Sequence, residues 1–166
     1  MGRYANQTKP LLIRYNRRMT DEDEIRSLHR DLLDSWNIRD HKAFAGHFTV
    51  DGASVGFDGS AMEGQDQIER HLRDIFVQHQ TAVYVAKVKD IRFLSPDVAL
   101  LRAVVGMVPP GQTDINPAVN AVQTLLAVEK EGQWRIALLQ NTPAAFHGRP
   151  DLSDQLTEEL RSELHR

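Results

Sequence analysis

Seven histidines, 23 acidic side chains and no cysteine bound the chemistry open to this sequence. Without cysteine there is no disulfide framework, no thiolate zinc site and no thiol nucleophile. The histidines are His29, His41, His47, His71, His79, His147 and His165. None forms H-E-x-x-H or another closely spaced ligand pair, so no metal is expected. Histidine is the natural general base near neutral pH. His79 ends an amphipathic helix just before a β-rich stretch, where its ring can reach the mouth of a pocket. His29 and His71 fall within helices and read as solvated or packed, and His47 lies beside Phe48. Gly52-Ala53-Ser54-Val55-Gly56 matches G-x-S-x-G literally. That motif exposes a serine only on a strand–turn–helix elbow. Here the hairpin pair Asp58-Gly59 follows instead, so Ser54 reads as a strand residue.

Carbon-acid chemistry needs a base raised in pKa by an apolar pocket and a donor for the oxyanion. The strand acids Asp90, Asp97, Glu129 and Glu131 fall at or near expected strand ends, and strand middles hold Val, Ala and Leu. Asp58 serves its turn first. The acid/base candidates are therefore His79, Tyr84 and Asp58. Candidate ligand contacts are polar or aromatic residues among apolar neighbours: Trp36, Phe57, Arg102, Gln123 and Asn141. Period-two alternation puts Gln123 on a face with Ala121, Leu125 and Ala127, Arg102 with Leu100 and Val104, and Asn141 with Ala137 and Leu139. Which face of each strand turns inward is left open, because a register shift of one residue inverts the assignment.

The elements that would position these residues follow from periodicity. Thr20 and Asp23 form a capping pair, and Asp21 to Glu24 favour a helix N-terminus. Ile25, Leu28, Leu32 and Trp36, with Leu33, give a long first helix an apolar stripe. A short second helix spans Ala43 to Phe48 and breaks at Asp51-Gly52. Ala53 to Phe57 is a strand, Asp58-Gly59 a turn, and Gly64 precedes a helix whose stripe is Ile68, Leu72, Ile75 and Phe76. Four meander strands follow: 81–94, 98–108, 119–129 and 134–141, separated by Ser95-Pro96-Asp97, Pro109-Pro110-Gly111 and Glu131-Gly132. A polar helix closes the chain over 151–166. Helices first and meander strands after predict an α+β fold, a curved antiparallel sheet packed on N-terminal helices and enclosing a cone-shaped space.

The chain resembles the nuclear transport factor 2-like superfamily, and within it the SgcJ/EcaC group of SnoaL-like proteins. The residues that carry the likeness are Leu32 to Asp40, Phe44 to Phe48, Val55 to Gly59, Gly64, Val88 to Ala99, Gly132 to Ile136 and Asn141-Thr142. They span about residues 20–146. The resemblance implies a cystatin-like cone and a homodimer. It leaves the function open, since this fold hosts isomerases, cyclases, dehydratases and non-catalytic adaptors. The acid pattern of ketosteroid isomerases is not visible.

The expected organisation is a basic extension (1–19), the SnoaL-like domain (20–148) and a helical tail (149–166). A net charge of −3 speaks against nucleic acid as partner. There is no phosphate loop or dinucleotide fingerprint, so no cofactor is expected. No apolar run reaches the roughly 20 residues of a membrane span, and the N-terminus does not read as a secretory signal, which gives a cytoplasmic expectation. Val, Leu and Ala at both parities of 98–108 and 119–128 call for burial of both sheet faces. A second copy over the outer face would make a two-fold homodimer. Three functions compete: a binding protein for a small apolar organic molecule, a SnoaL-like enzyme of isomerase, cyclase or hydratase type, and a non-catalytic dimerisation or adaptor module.

Overall fold

The computed structural model describes the backbone over residues 8–166, with side chains from residue 11. The first helix, α1 (Thr8–Asn37), is followed by α2 (His41–Gly46), β1 (Phe48–Val55), β2 (Ala61–Glu63) and α3 (Gln65–Gln78). Then come β3 (Val83–Ser95), β4 (Val98–Val108), a 3-10 turn at Pro117–Val119, β5 (Ala121–Lys130), β6 (Gln133–Pro143) and α4 (Pro150–Leu164).

The six strands form one sheet in the order β2-β1-β6-β5-β4-β3. Strands β3 to β6 are the expected meander, each antiparallel to the next. The sheet as a whole is mixed, because β1 runs parallel to β6. A parallel pair needs a long connection, and everything from β2 to β5 supplies it.

Helices α1, α2 and α3 fill the concave face. Ile25 and Leu32 of α1, Phe44 of α2 and Ile68 and Leu72 of α3 pack with Leu101, Leu125 and Ile136 of the sheet in one core. Each is at most 4% exposed, so this part of the concave face is solid protein. The stripes expected on α1 and α3 are the buried ones.

Three sequence expectations need correction. Thr20 does not open a helix, since α1 is already helical from Thr8. Its hydroxyl donates back to the Asn16 carbonyl at 3.0 Å, the mid-helix habit of threonine. Residues 11–19 contain no Gly or Pro to stop the helix, so the acidic run 21–24 lies inside it. Residues 1–7 of the expected basic extension lie outside the described residues. Second, Phe48 starts β1 rather than ending α2, and Asp51-Gly52 sits within the strand at a register shift between Phe48 and Ala53. A Cβ on Gly52 would stand 2.8 Å from the Ile136 carbonyl oxygen, so the close approach of β1 to β6 requires glycine. Third, Asp90 lies in the body of β3 and not at its end.

The convex face also differs from expectation. The C-terminal helix α4 covers part of it, with Leu156 and Leu160 packed on Val104 and Val108. Glu159 forms ion pairs with Lys87 and Lys89 of β3, and Arg161 binds Asp114 at 2.9 Å. The uncovered part carries Leu100, Leu126 and Leu138, aligned across β4, β5 and β6. All three are half-buried.

Candidate functional site

Odd-numbered residues of β5 face the helices, and Gln123 among them is 0% exposed. It is the one long polar side chain on a wall of Ala121, Leu125 and Ala127. A buried amide needs partners, since an unpaired one costs about 1–3 kcal/mol. Two are present. The His29 imidazole Nε2 lies 2.7 Å from Gln123 Oε1, which fixes Nε2 as the protonated nitrogen because a carbonyl only accepts. Gln123 Nε2 donates to Asn141 Oδ1 at 3.0 Å, and Asn141 Nδ2 donates to the Val55 carbonyl at 3.2 Å. A polar chain thus crosses the concave face from α1 through β5 and β6 to β1.

His29 is 2% exposed. Burial pushes its pKa down, and the Gln123 contact offsets this only in part. The ring is therefore neutral near pH 7. Its Nδ1 makes no hydrogen bond among the described residues and keeps a free lone pair. Farther along the same face, Leu33, Val105 and Ala121 pack together against Tyr84 and Ala86. Trp36 meets Tyr84 edge-on at 5.5 Å, and its indole N–H donates to the Ala82 carbonyl at 2.9 Å. Asn37 ties down the same strand end, accepting from Tyr84 N at 2.7 Å and donating to Tyr84 O at 3.2 Å. Burial pushes the Tyr84 phenol up to about 12, so it stays protonated, and its hydroxyl has no partner among the described residues. A neutral imidazole and a protonated phenol on one apolar concave surface can accept and donate a proton respectively.

No protein-family profile and no curated protein matches the sequence. Solved structures do match. A cystatin-like domain of unknown function from Nostoc punctiforme superposes with a TM-score of 0.73 at 25% identity, over 82% of this chain and 85% of that one. An NTF-2 like protein of unknown function from Shewanella oneidensis gives 0.62 at 18% identity, over 74% and 98%. A ketosteroid isomerase-like protein from Erwinia carotovora gives 0.58 at 19% identity, over 74% and 95%.

The chain has the nuclear transport factor 2-like fold.

Within this nuclear transport factor 2-like cone the sequence candidates separate into three places. Gln123, Asn141, Trp36 and Tyr84 lie on the inner side. Phe57, Asp58 and His79 are exposed on loops at the ends of elements. Asp58 Oδ1 accepts from Ser60 N at 3.0 Å and Ser60 Oγ at 2.5 Å, which holds its carboxyl below the usual range and ties it to the turn. His79 ends α3, its carbonyl taken by Arg39 at 2.9 Å. Arg102 is on the convex face, paired with Asp90, and lines no part of the interior. Ser54 lies in β1 opposite Met62 and Leu139, with no elbow after it. Among the described residues no three His, Asp or Glu side chains converge as metal ligands.

The residue that sequence reading missed is His29. It stands four positions after Ile25 and four before Leu33, on the apolar stripe itself, and that spacing was the available signal.

A concavity of about 440 Å³ lies outside the cone, along α1. One wall is Thr20, Asp23, Glu24, Ser27, Leu28 and Asp31 of α1, the other Gly132 to Arg135. His47 closes one end, its Nε2 3.2 Å from Ser35 Oγ.

Proposed function

We propose that the chain binds a small, largely apolar organic molecule on the inner surface of the cone, with the His29–Gln123–Asn141 chain as the polar anchor. The observation that carries this reading is the fully buried Gln123, held between a histidine and an asparagine in an otherwise apolar wall. A few placed polar groups in an apolar lining are what a small-molecule site requires. In this conformation Leu33 of α1 packs on Val105 and Ala121 of the sheet beside Tyr84, so binding requires side chains of α1 and β3 to move apart. Native mass spectrometry of the purified, unsupplemented protein tests the proposal. A co-purifying molecule retained by the parent and lost in Asn141→Leu supports it. The absence of any bound molecule, together with no thermal shift from a panel of apolar carbonyl compounds, overturns it.

A second reading is favoured by a separate observation, the neutral His29 and the protonated Tyr84, both on the concave face. It makes the domain a SnoaL-like enzyme of isomerase, cyclase or hydratase type, with His29 as base and Tyr84 as donor. The ketosteroid isomerase-like neighbour belongs to the same fold and adds no residue to that assignment. Placement in the SgcJ/EcaC group rests on the sequence likeness alone. Pairing through the leucine row of the convex face belongs to this proposal as the assembly it implies.

No helix among the described residues is long and apolar enough to cross a membrane.

A further inference from the structure

The start of α1 stands clear of the sheet. Among the hydrogen bonds, ion pairs and ring contacts of the described residues, those between α1 and the strands begin at Arg17 and Arg18. Arg17 reaches Glu129 at 3.9 Å, and the Arg18 guanidinium sits over the Phe93 ring at 5.3 Å. Leu11, Leu12, Ile13, Tyr15 and Met19 are 67, 63, 67, 63 and 51% exposed, a concentration of bare apolar surface found in no other element.

Helical spacing sorts this segment by side. At ~100° per residue, Leu11, Leu12, Tyr15 and Met19 fall within one arc of about 100°. Arg14, Arg17 and Arg18 fall within a second arc of about the same width, directly beside the first. Charge separates it from the rest of the chain as well. Residues 1–19 hold five basic residues, Arg3, Lys9, Arg14, Arg17 and Arg18, and no acid, whereas 15 basic and 23 acidic residues follow. The arginines keep their charge in water. Arg14 is exposed and forms no ion pair among the described residues. Arg17 is 65% exposed, and its contacts with Asp21 at 3.8 Å and Glu129 at 3.9 Å are of the loose surface kind that contributes little.

From this we propose that the start of α1 is a peripheral membrane anchor, and that its occupant is an anionic lipid surface. The occupant must be apolar where it meets Leu11, Leu12, Tyr15 and Met19, and anionic where it meets the arginines. A bilayer interface with acidic headgroups offers both within about 5–10 Å of depth. The apolar arc then faces the acyl chains, the arginine stems reach back to the phosphates, and the Tyr15 hydroxyl stays at headgroup level. The other occupants fit less well. A second copy brings an arm of the same sign, so two arms repel. A nucleic acid supplies phosphate but no layer in which to bury the leucines. No helix among the described residues is long and apolar enough to cross a bilayer, so the contact is with its surface. The acidic remainder of the chain is repelled by the same lipids, which leaves the arm as the part that docks.

The proposal uses no residue of the cone's inner face and stands or falls apart from the ligand reading. Cosedimentation of the full chain with vesicles tests it. The parent should bind mixed phosphatidylcholine–phosphatidylserine vesicles and not phosphatidylcholine alone, and added salt should weaken the binding. One variant carries Arg14→Glu and Arg17→Glu, the other Leu11→Ser and Leu12→Ser. All four positions are exposed, and circular dichroism checks that each variant folds. Each variant should lower partitioning by about tenfold or more. No binding by the parent, equal binding to both kinds of vesicle, or unchanged partitioning in either variant overturns the proposal. A fall in sedimentation mass in the serine variant with vesicle binding intact also overturns it and assigns the arm to a second copy. Binding of the parent to duplex DNA with none to vesicles overturns it too and assigns the arginines to a polyphosphate.

Discussion

Gln123 was legible in the sequence as a polar residue sharing a face with alanines and a leucine. That the face turns inward was not, because alternation gives two faces and does not say which is wet. Asn141 was found by the same logic and shares its bond, whereas Arg102, chosen on equal grounds, sits outside. Gln123→Leu strips both partners at once. Unfolding by urea should show a loss of about 1–3 kcal/mol, the cost of leaving buried polar groups unpaired. His29 makes a further prediction at this scale. Burial holds its folded pKa below the ordinary 6.5. As pH falls below that value the unfolded chain takes up a proton that the folded chain refuses, so stability falls until the folded pKa is reached. His47 shifts the same way, mainly by burial, and adds to the slope. Denaturation midpoints between pH 7 and 5 should decline, and His29→Gln should flatten part of that decline. The carboxylates of Asp90, Asp114 and Glu159, held low by their basic partners, lose stability only at more acid pH. An unaltered pH dependence in His29→Gln would place the titrating group elsewhere.

The long helices and the meander were readable at the scale of elements because period 3.6 and period 2 are strong over ten or more residues. The misreadings cluster where local signals compete with packing. An acidic run ordinarily marks a helix start, yet the segment before it had no breaker. Asp51-Gly52 ordinarily turns the chain, yet here glycine admits the Ile136 carbonyl against β1. The C-terminal helix read as a polar tail, and its few apolar residues hid its role: Leu156 and Leu160 are buried on β4 while Glu159 bridges Lys87 and Lys89. Leu160→Ala therefore opens a core and not a surface. It should cost about 2–5 kcal/mol in chemical denaturation, the range for a buried leucine truncation. Amide exchange in α4 and in the adjoining segment of β4 should quicken more than in α3, which packs on the opposite face of the sheet. Equal exchange changes in α3 and α4 would show that the two faces unfold as one.

At the scale of the whole molecule, the question is what covers the sheet. The concave side is closed by α1 to α3 and one end of the convex side by α4, which leaves Leu100, Leu126 and Leu138 in one row across three strands. The next row toward α4 is Arg102, Thr124 and Gln140, a polar margin for that leucine row. Three adjacent leucines at the centre and polar groups at the edge is the arrangement of a pairing surface. Arg102 is already held by Asp90, so its charge needs no partner from a second copy. A Leu126→Arg change puts a cation at the middle of the row while leaving the inner face untouched. If two sheets meet there, light scattering should give half the parent mass, with thermal stability falling only by what assembly contributed. If Leu126→Arg leaves the mass unchanged, the leucine row is a solvent face and the apolar character of β4 and β5 serves only α4 and the inner core.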